Sequence, residues 1–80
     1  MLLGFEAKGL ADINRAQGNN AKAEPLYQRS LTILERALGP EHPNVPKILD
    51  NYAALLRETG RAGEAAEMEA RAKAIRAKYE

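Results

Sequence analysis

Apolar residues recur along this chain at steps of three and four, the spacing that places them on one side of an α-helix. One wide stripe contains Ala23, Leu26, Tyr27, Ser30, Leu31, Leu34 and Leu38. A second contains Val45, Ile48, Leu49, Tyr52, Leu55 and Leu56. Both segments are therefore predicted to be amphipathic helices that face a common core.

Glycine, asparagine and proline divide the pattern into four segments. Gly18 and Gly60 mark short turns, and Gly39 with the proline after it ends a helix. Asn20 and Asn44 are candidate N-caps. The predicted helices cover residues 3–17, 21–38, 45–59 and 62–79. Because the links within the first and second pairs are short, each pair is predicted to form an antiparallel hairpin.

The fourth predicted helix has a narrower apolar seam than the others. Its members are Ala65, Met68, Ala72, Ile75 and Tyr79. Charged residues cover the rest, and two i,i+4 ion pairs are predicted along it, Glu67 with Arg71 and Glu69 with Lys73. A helix with one narrow apolar side packs against a single neighbour, so we expect this helix to close one end of the structure.

The two hairpins repeat each other with a period of 42 residues. At this offset Ala11 corresponds to Ala53 and Ala23 to Ala65, and small residues at matched positions allow two helices to approach closely. A fixed period of about 20 to 50 residues indicates a stacked-repeat architecture. We expect one domain over residues 1–80, with repeat one at about 3–44 and repeat two at about 45–80.

Composition supports an all-α chain and removes most kinds of chemistry. The 80 residues include fifteen alanines and no cysteine, so a disulfide framework, a thiolate nucleophile and a cysteine metal site are excluded. No apolar run approaches the ~20 residues that cross a membrane. From this we expect a soluble, intracellular protein of the cytoplasm that does not bind membranes.

Candidate catalytic, metal-binding and nucleic-acid-binding groups are few. The only histidine, His42, has no second histidine or cysteine as co-ligand, and Ser30 lies on an apolar stripe where it packs. The net charge is +1, and the basic residues of the last helix scatter around its axis. We predict no enzyme activity, no catalytic residue, no metal or other cofactor, and no nucleic-acid partner.

Two stretches of the chain are similar to a known repeat family. They read AEPLYQRSL at residues 23–31 and LGPEHP at residues 38–43. With the 42-residue period they resemble tetratricopeptide repeats of the kinesin-light-chain type, over nearly the whole chain. The resemblance implies four antiparallel helices in a short right-handed α-solenoid. The first and last helices depart most from the family pattern, which suits the C-terminal end of a longer array.

The resemblance also implies a non-catalytic protein-interaction module. In this family the first helix of each hairpin lines a concave face that usually binds an extended or helical peptide segment. Asn51 matches a position where related repeats place an asparagine that can hydrogen-bond a ligand backbone, and Arg15 and Arg57 are positioned to meet carboxylates. The partner-binding residues implied by the family register are Phe5, Lys8, Asp12, Arg15, Lys47, Asn51 and Arg57.

Self-association is the alternative function. Stacked repeats bury each unit against a neighbour, and the apolar residues of the first helix would have none before them. These residues are Leu2, Leu3, Phe5 and Ile13. A symmetric homodimer through this edge would cover them, as would an exchange of hairpins about the link at residues 39–44. Both functions are compatible with the sequence.

Overall fold

The computed structural model describes residues 4–79, and this part of the chain forms four α-helices without a β-strand. The helices are α1 (Gly4–Ala16), α2 (Asn20–Leu38), α3 (Val45–Glu58) and α4 (Ala62–Ala77). The all-α fold of two helical hairpins is thereby confirmed, and each helix ends within two residues of its predicted boundary. Leu2 and Leu3, two of the predicted self-association residues, lie outside the described residues.

The helices pack in the order expected of two adjacent hairpins. Helix α1 packs mainly on α2, and α3 packs mainly on α4. A smaller contact between α2 and α3 joins the hairpins, and α1 also approaches α3. The first helices of the two hairpins therefore lie on the same side of the molecule.

The core is centred on α3. All six residues of its predicted apolar stripe are buried, and each is at most 5% exposed. The contacts inside each hairpin are made at alanines, since Ala11, Ala23, Ala53 and Ala65 are completely buried. Small side chains at these positions let the paired helices approach closely, as the repeat pattern predicted.

The start of α1 lies close to the middle of α2. Ser30 is completely buried, and its hydroxyl donates a hydrogen bond of 2.6 Å to the backbone oxygen of Gly4. A Cβ atom added at Gly4 would overlap the side chain of Leu34. Ser30 is therefore a packing residue, as expected from its place on an apolar stripe.

Of the two predicted asparagine caps, Asn44 occupies the N-cap position of α3 and Asn20 does not occupy that of α2. Asn20 is the first residue of α2, and Asn19 before it caps the helix without a side-chain hydrogen bond. Asn44 does precede α3, but its φ and ψ are helical and its side chain makes no capping bond. A capping side chain needs an extended backbone to reach back to the first turn, and Asn44 lacks one.

Two residues at helix ends are also more exposed than their stripes predicted. Leu38, the last residue of α2, is 42% exposed because the helix runs past the core. Tyr79 follows the end of α4 and is 58% exposed, with its hydroxyl donating 2.8 Å to the backbone oxygen of Glu41. Both belong to the rim of the molecule.

Replacement of Gly4 by alanine should destabilise the protein, because the new methyl group would force Leu34 out of its packed position. We expect the free energy of unfolding to fall by about 1 kcal/mol. The same substitution at Gly9, in the same helix but with open space at its Cβ, should raise it by about 0.5–1 kcal/mol. Urea unfolding followed by circular dichroism measures both, and equal shifts for the two variants would contradict the close approach.

Candidate functional site

Helices α1 and α3 carry all seven predicted partner-binding residues. We call the surface that these seven residues form the α1–α3 face. None of the seven is buried, so each offers part of its side chain to solvent. Its members are Phe5, Lys8, Asp12 and Arg15 on α1 and Lys47, Asn51 and Arg57 on α3.

Asp12 joins the two helices of this face. Its Oδ2 accepts a hydrogen bond of 2.8 Å from Lys8, one helical turn earlier. Its Oδ1 accepts 3.1 Å from the Asn51 side-chain amide on α3, and the hydroxyl of Tyr27 on α2 donates to the same oxygen. Three predicted residues, Lys8, Asp12 and Asn51, are thus brought together around one carboxylate.

The sequence pattern did not predict that Tyr27 would hydrogen-bond to Asp12. Its position on the apolar stripe of α2 predicted a core side chain, and the ring is indeed completely buried. Its hydroxyl, buried with the ring, donates to Asp12 beneath the α1–α3 face. Tyrosine has an apolar ring and a polar tip, and only the tertiary packing shows where the tip ends.

Hydrogen bonding shifts the pKa values of this pair in opposite directions. Burial raises the pKa of Asp12, but hydrogen bonds from Lys8, Tyr27 and Asn51 and the charge of Lys8 outweigh burial, so the net pKa lies below its usual value. Burial and the adjacent Asp12 carboxylate raise the pKa of Tyr27. At neutral pH the pair is therefore a carboxylate held by a neutral phenol.

Both arginines of the face form ion pairs with glutamates of the same chain. Arg15 Nη1 lies 3.4 Å from Glu58 Oε1, which links α1 to the end of α3. Arg57 holds Glu69 of α4 with two hydrogen bonds, one of them 3.1 Å from Nε to Oε2. This fork lowers the pKa of Glu69. The predicted pair of Glu69 with Lys73 was wrong, because Arg57 on the neighbouring helix occupies that carboxylate.

Phe5 and Lys47 remain available on the face. They occupy equivalent positions in the two repeats, 42 residues apart. Phe5 is 54% exposed, and the Lys47 side chain is exposed and makes no ion pair within residues 4–79. The face thus combines an aromatic ring, a free cation and a polar centre at Asp12 and Asn51.

An aromatic contact between the hairpins lies beneath this face. The rings of Tyr27 and Tyr52 stack with centroids 5.7 Å apart and planes 13° from parallel. The Tyr52 hydroxyl accepts a hydrogen bond of 2.9 Å from Gln28 and donates one of 3.2 Å to Glu24. Glu24 also pairs with Arg61. This network fixes α3 against α2 and so sets the distance between α1 and α3.

Arg71 of α4 and Lys78 just after this helix pair with residues of the first repeat. Arg71 donates 2.6 Å to Glu35 on α2, and 3.2 Å to the backbone oxygen of Pro40. Lys78 pairs with Glu41 in the link. The predicted pair of Glu67 with Arg71 was therefore wrong, since the arginine binds a carboxylate of the other repeat.

Candidate metal-ligand clusters and membrane-spanning helices are absent from residues 4–79. Within it, no three histidine, cysteine or acidic side chains are grouped as metal ligands. None of the helices α1 to α4 is both long and apolar enough to span a lipid bilayer. His42 accepts a hydrogen bond of 3.1 Å from the backbone of Asn44 through Nδ1, which places it in the link between the repeats.

Protonation of Asp12 should weaken the protein in acid. Because the folded-state pKa of Asp12 is lowered, its contribution to stability is present above the unfolded-state pKa near 3.8 and is lost as the pH falls through the folded value. Replacement of Asp12 by asparagine should therefore cost stability at pH 6 and progressively less towards pH 2. Urea unfolding of both proteins across this range measures the difference, and a constant difference would contradict the assignment.

Comparison with known proteins gives the family. A search of curated proteins found no match. A family model described as Tetratricopeptide repeat matches residues 5–78, which includes both hairpins and nearly all of the four helices. Such repeats generally mediate protein–protein interaction. With two helical hairpins in a 42-residue period and a match over almost its whole length, the chain belongs to the tetratricopeptide repeat family.

Proposed function

We propose that this protein is a non-catalytic interaction module that binds an extended or helical segment of a partner protein along the α1–α3 face. The observation that carries the proposal is the hydrogen bond between Asp12 and Asn51, because it joins the first helices of both repeats into one polar surface. A partner segment lying across this surface would contact both repeats at once.

Asn51 is the centre of the proposed recognition. One of its amide hydrogens is donated to Asp12, which fixes the orientation of the side chain. Its oxygen and second hydrogen remain available, and together they match the N–H and C=O of a peptide backbone. Recognition through the backbone depends little on the partner's sequence, so the flanking residues supply the selectivity.

Phe5 and Lys47 are the proposed selectivity groups, because both are exposed and lie on the same face. Phe5 offers apolar contact, and Lys47 attracts a carboxylate. Arg15 and Arg57 contribute differently, since each already holds a glutamate. A partner carboxylate at either arginine would have to displace Glu58 or Glu69, so the two arginines would bind a partner only in exchange for these intramolecular pairs.

We also propose that the repeats are of the kinesin-light-chain type. The 42-residue period supports this assignment, as does the compact link between the hairpins. In the link, Gly39 adopts a φ of 98°, which favours glycine, and the His42 oxygen accepts 2.9 Å from the backbone of Val45 at the start of α3.

Loss of the free donors should weaken partner binding. We would select peptides from a displayed random library on the immobilised protein and measure their Kd by fluorescence anisotropy. Combined replacement of Lys47 and Asn51 by alanine should raise the Kd about tenfold, since it removes a charge and a hydrogen-bonding amide. The control is Lys73→Ala, an exposed lysine on α4 outside the face. Selected peptides that bind all three proteins equally would contradict the proposal.

Self-association is a second candidate function, favoured by one observation. Phe5, Leu10 and Ile13 on α1 are 54%, 40% and 55% exposed, and a second copy could cover these apolar side chains. A symmetric dimer through α1 or an exchange of hairpins about the link would do so.

If this second candidate is correct, light scattering over a dilution series should give a molar mass of twice 8.8 kDa. Replacement of Ile13 by aspartate should return the mass to that of the monomer, because it places a charge in the contact. A mass near 8.8 kDa at every concentration would contradict self-association and leave the binding proposal unaffected.

A further inference from the structure

The outer sides of α1 and α2 form an exposed apolar surface. The equivalent surface of repeat two is covered by α2. Leu10 and Ile13 are 40% and 55% exposed, whereas their equivalents Tyr52 and Leu55 are 5% and 0% exposed. Tyr52 is covered because α2 of the first hairpin packs on α3. In repeat one no helix within residues 4–79 covers the equivalent side, which we call the free edge and define by Leu10, Ile13, Leu26, Arg29 and Arg36.

An open groove runs along this edge between α1 and α2. It is lined by Asn14, Ala21, Lys22, Pro25, Leu26 and Arg29. In repeat two the positions equivalent to Asn14 and Leu26 are Leu56, which is 1% exposed, and Met68, which packs partly against the core. The groove thus lies where repeat two has a buried leucine in place of Asn14.

Lys22 and Arg29 line the groove, and Arg36 continues the same side of α2. Lys22, Arg29 and Arg36 follow each other at seven-residue steps, which places them along one stripe of the helix. None of the three makes an ion pair within residues 4–79, whereas the five other arginines each pair with a carboxylate. The free edge therefore combines exposed apolar groups with uncompensated positive charge.

The second repeat shows which group such positions bind. Arg71 is equivalent to Arg29 and lies 2.6 Å from Glu35 of α2. Lys78 is equivalent to Arg36 and pairs with Glu41 of the link that follows α2. Both cations of repeat two thus bind carboxylates supplied by α2, which packs on α3, and by the link that follows α2.

We propose that the free edge binds an amphipathic α-helix of a partner protein, which places an apolar stripe on Leu10, Ile13 and Leu26 and carboxylates opposite Arg29 and Arg36. In this contact the partner helix would pack on repeat one in the same way as α2 packs on repeat two. It uses a different surface from the α1–α3 face and does not depend on the proposed function.

A second copy of this chain, the occupant in the self-association candidate above, fits the free edge less well than an acidic helix. In a head-to-tail contact α4 would take the place of α2, and Ala77 would replace the carboxylate of Glu35. Lys73 and Arg76 would stand at the positions of the apolar Leu31 and Leu34. A symmetric contact would instead bring the basic stripes of two copies together. The charges thus favour an acidic helix of another protein.

The test uses a synthetic peptide with the sequence of residues 20–43, held helical by a lactam staple on the side away from Tyr27. This peptide carries Glu35 and Glu41 together with the apolar residues that cover α3. We expect it to bind the intact protein, and the variant with Arg29→Glu and Arg36→Glu to bind about tenfold more weakly. The affinity should also fall as salt is added.

A charge exchange makes the test specific. A peptide with Glu35→Lys and Glu41→Lys should bind the wild-type protein weakly and the doubly reversed variant more tightly. The control protein is Lys73→Glu, matched in charge to the single variant Arg29→Glu but located on α4. Circular dichroism and thermal unfolding confirm that each variant is folded.

Several outcomes would overturn the proposal. They are the absence of binding by the native peptide, equal affinities of wild-type and doubly reversed protein, and equal effects of Lys73→Glu and Arg29→Glu. A peptide that displaced α2 from its own hairpin would belong to the second outcome, because its affinity would then depend on Arg71 and not on Arg29.

Discussion

The stacking of Tyr27 on Tyr52 is the contact on which the rest of the structure depends. It lies where α2 meets α3, the main junction between the hairpins. A stacked aromatic pair contributes about 0.5–1.5 kcal/mol beyond the area that it buries. The two hydroxyls extend the contact, one to Asp12 and the other to Glu24. One aromatic pair thus fixes α3 against α2 and brings α1 within hydrogen-bond reach of α3.

Several ion pairs support this arrangement. Ion pairs join Arg15 to Glu58, Arg61 to Glu24 and Arg71 to Glu35, and each connects one repeat with the other. Exposed pairs of this kind contribute little individually, about 0–1 kcal/mol. Their larger effect is on the surface, because paired side chains are no longer free to bind a partner. The groups left on the α1–α3 face are therefore few, and they define its chemistry.

The two repeats are alike in sequence but differ in surroundings. Repeat two packs against α2, whereas the equivalent side of repeat one is uncovered in the described part of the chain. The same position is consequently core in one copy and surface in the other, as Leu55 and Ile13 show. This difference creates the free edge. Arg29 and Arg36, which make no ion pair within residues 4–79, give that edge a charge preference that the apolar residues alone would lack.

The sequence by itself determined the four helices, the 42-residue repeat, the alanine contacts and the buried stripe of α3. These features depend on local periodicity, since residues at three- and four-residue steps share a helix side wherever the helix is placed. Only the tertiary structure decided that Arg57 rather than Lys73 holds Glu69, that the buried Tyr27 reaches Asp12, and that Leu10 is exposed where Tyr52 is covered. Long side chains have several carboxylates or donors within reach along their own helix, and the choice among them depends on the distance and register between helices, which local spacing does not contain.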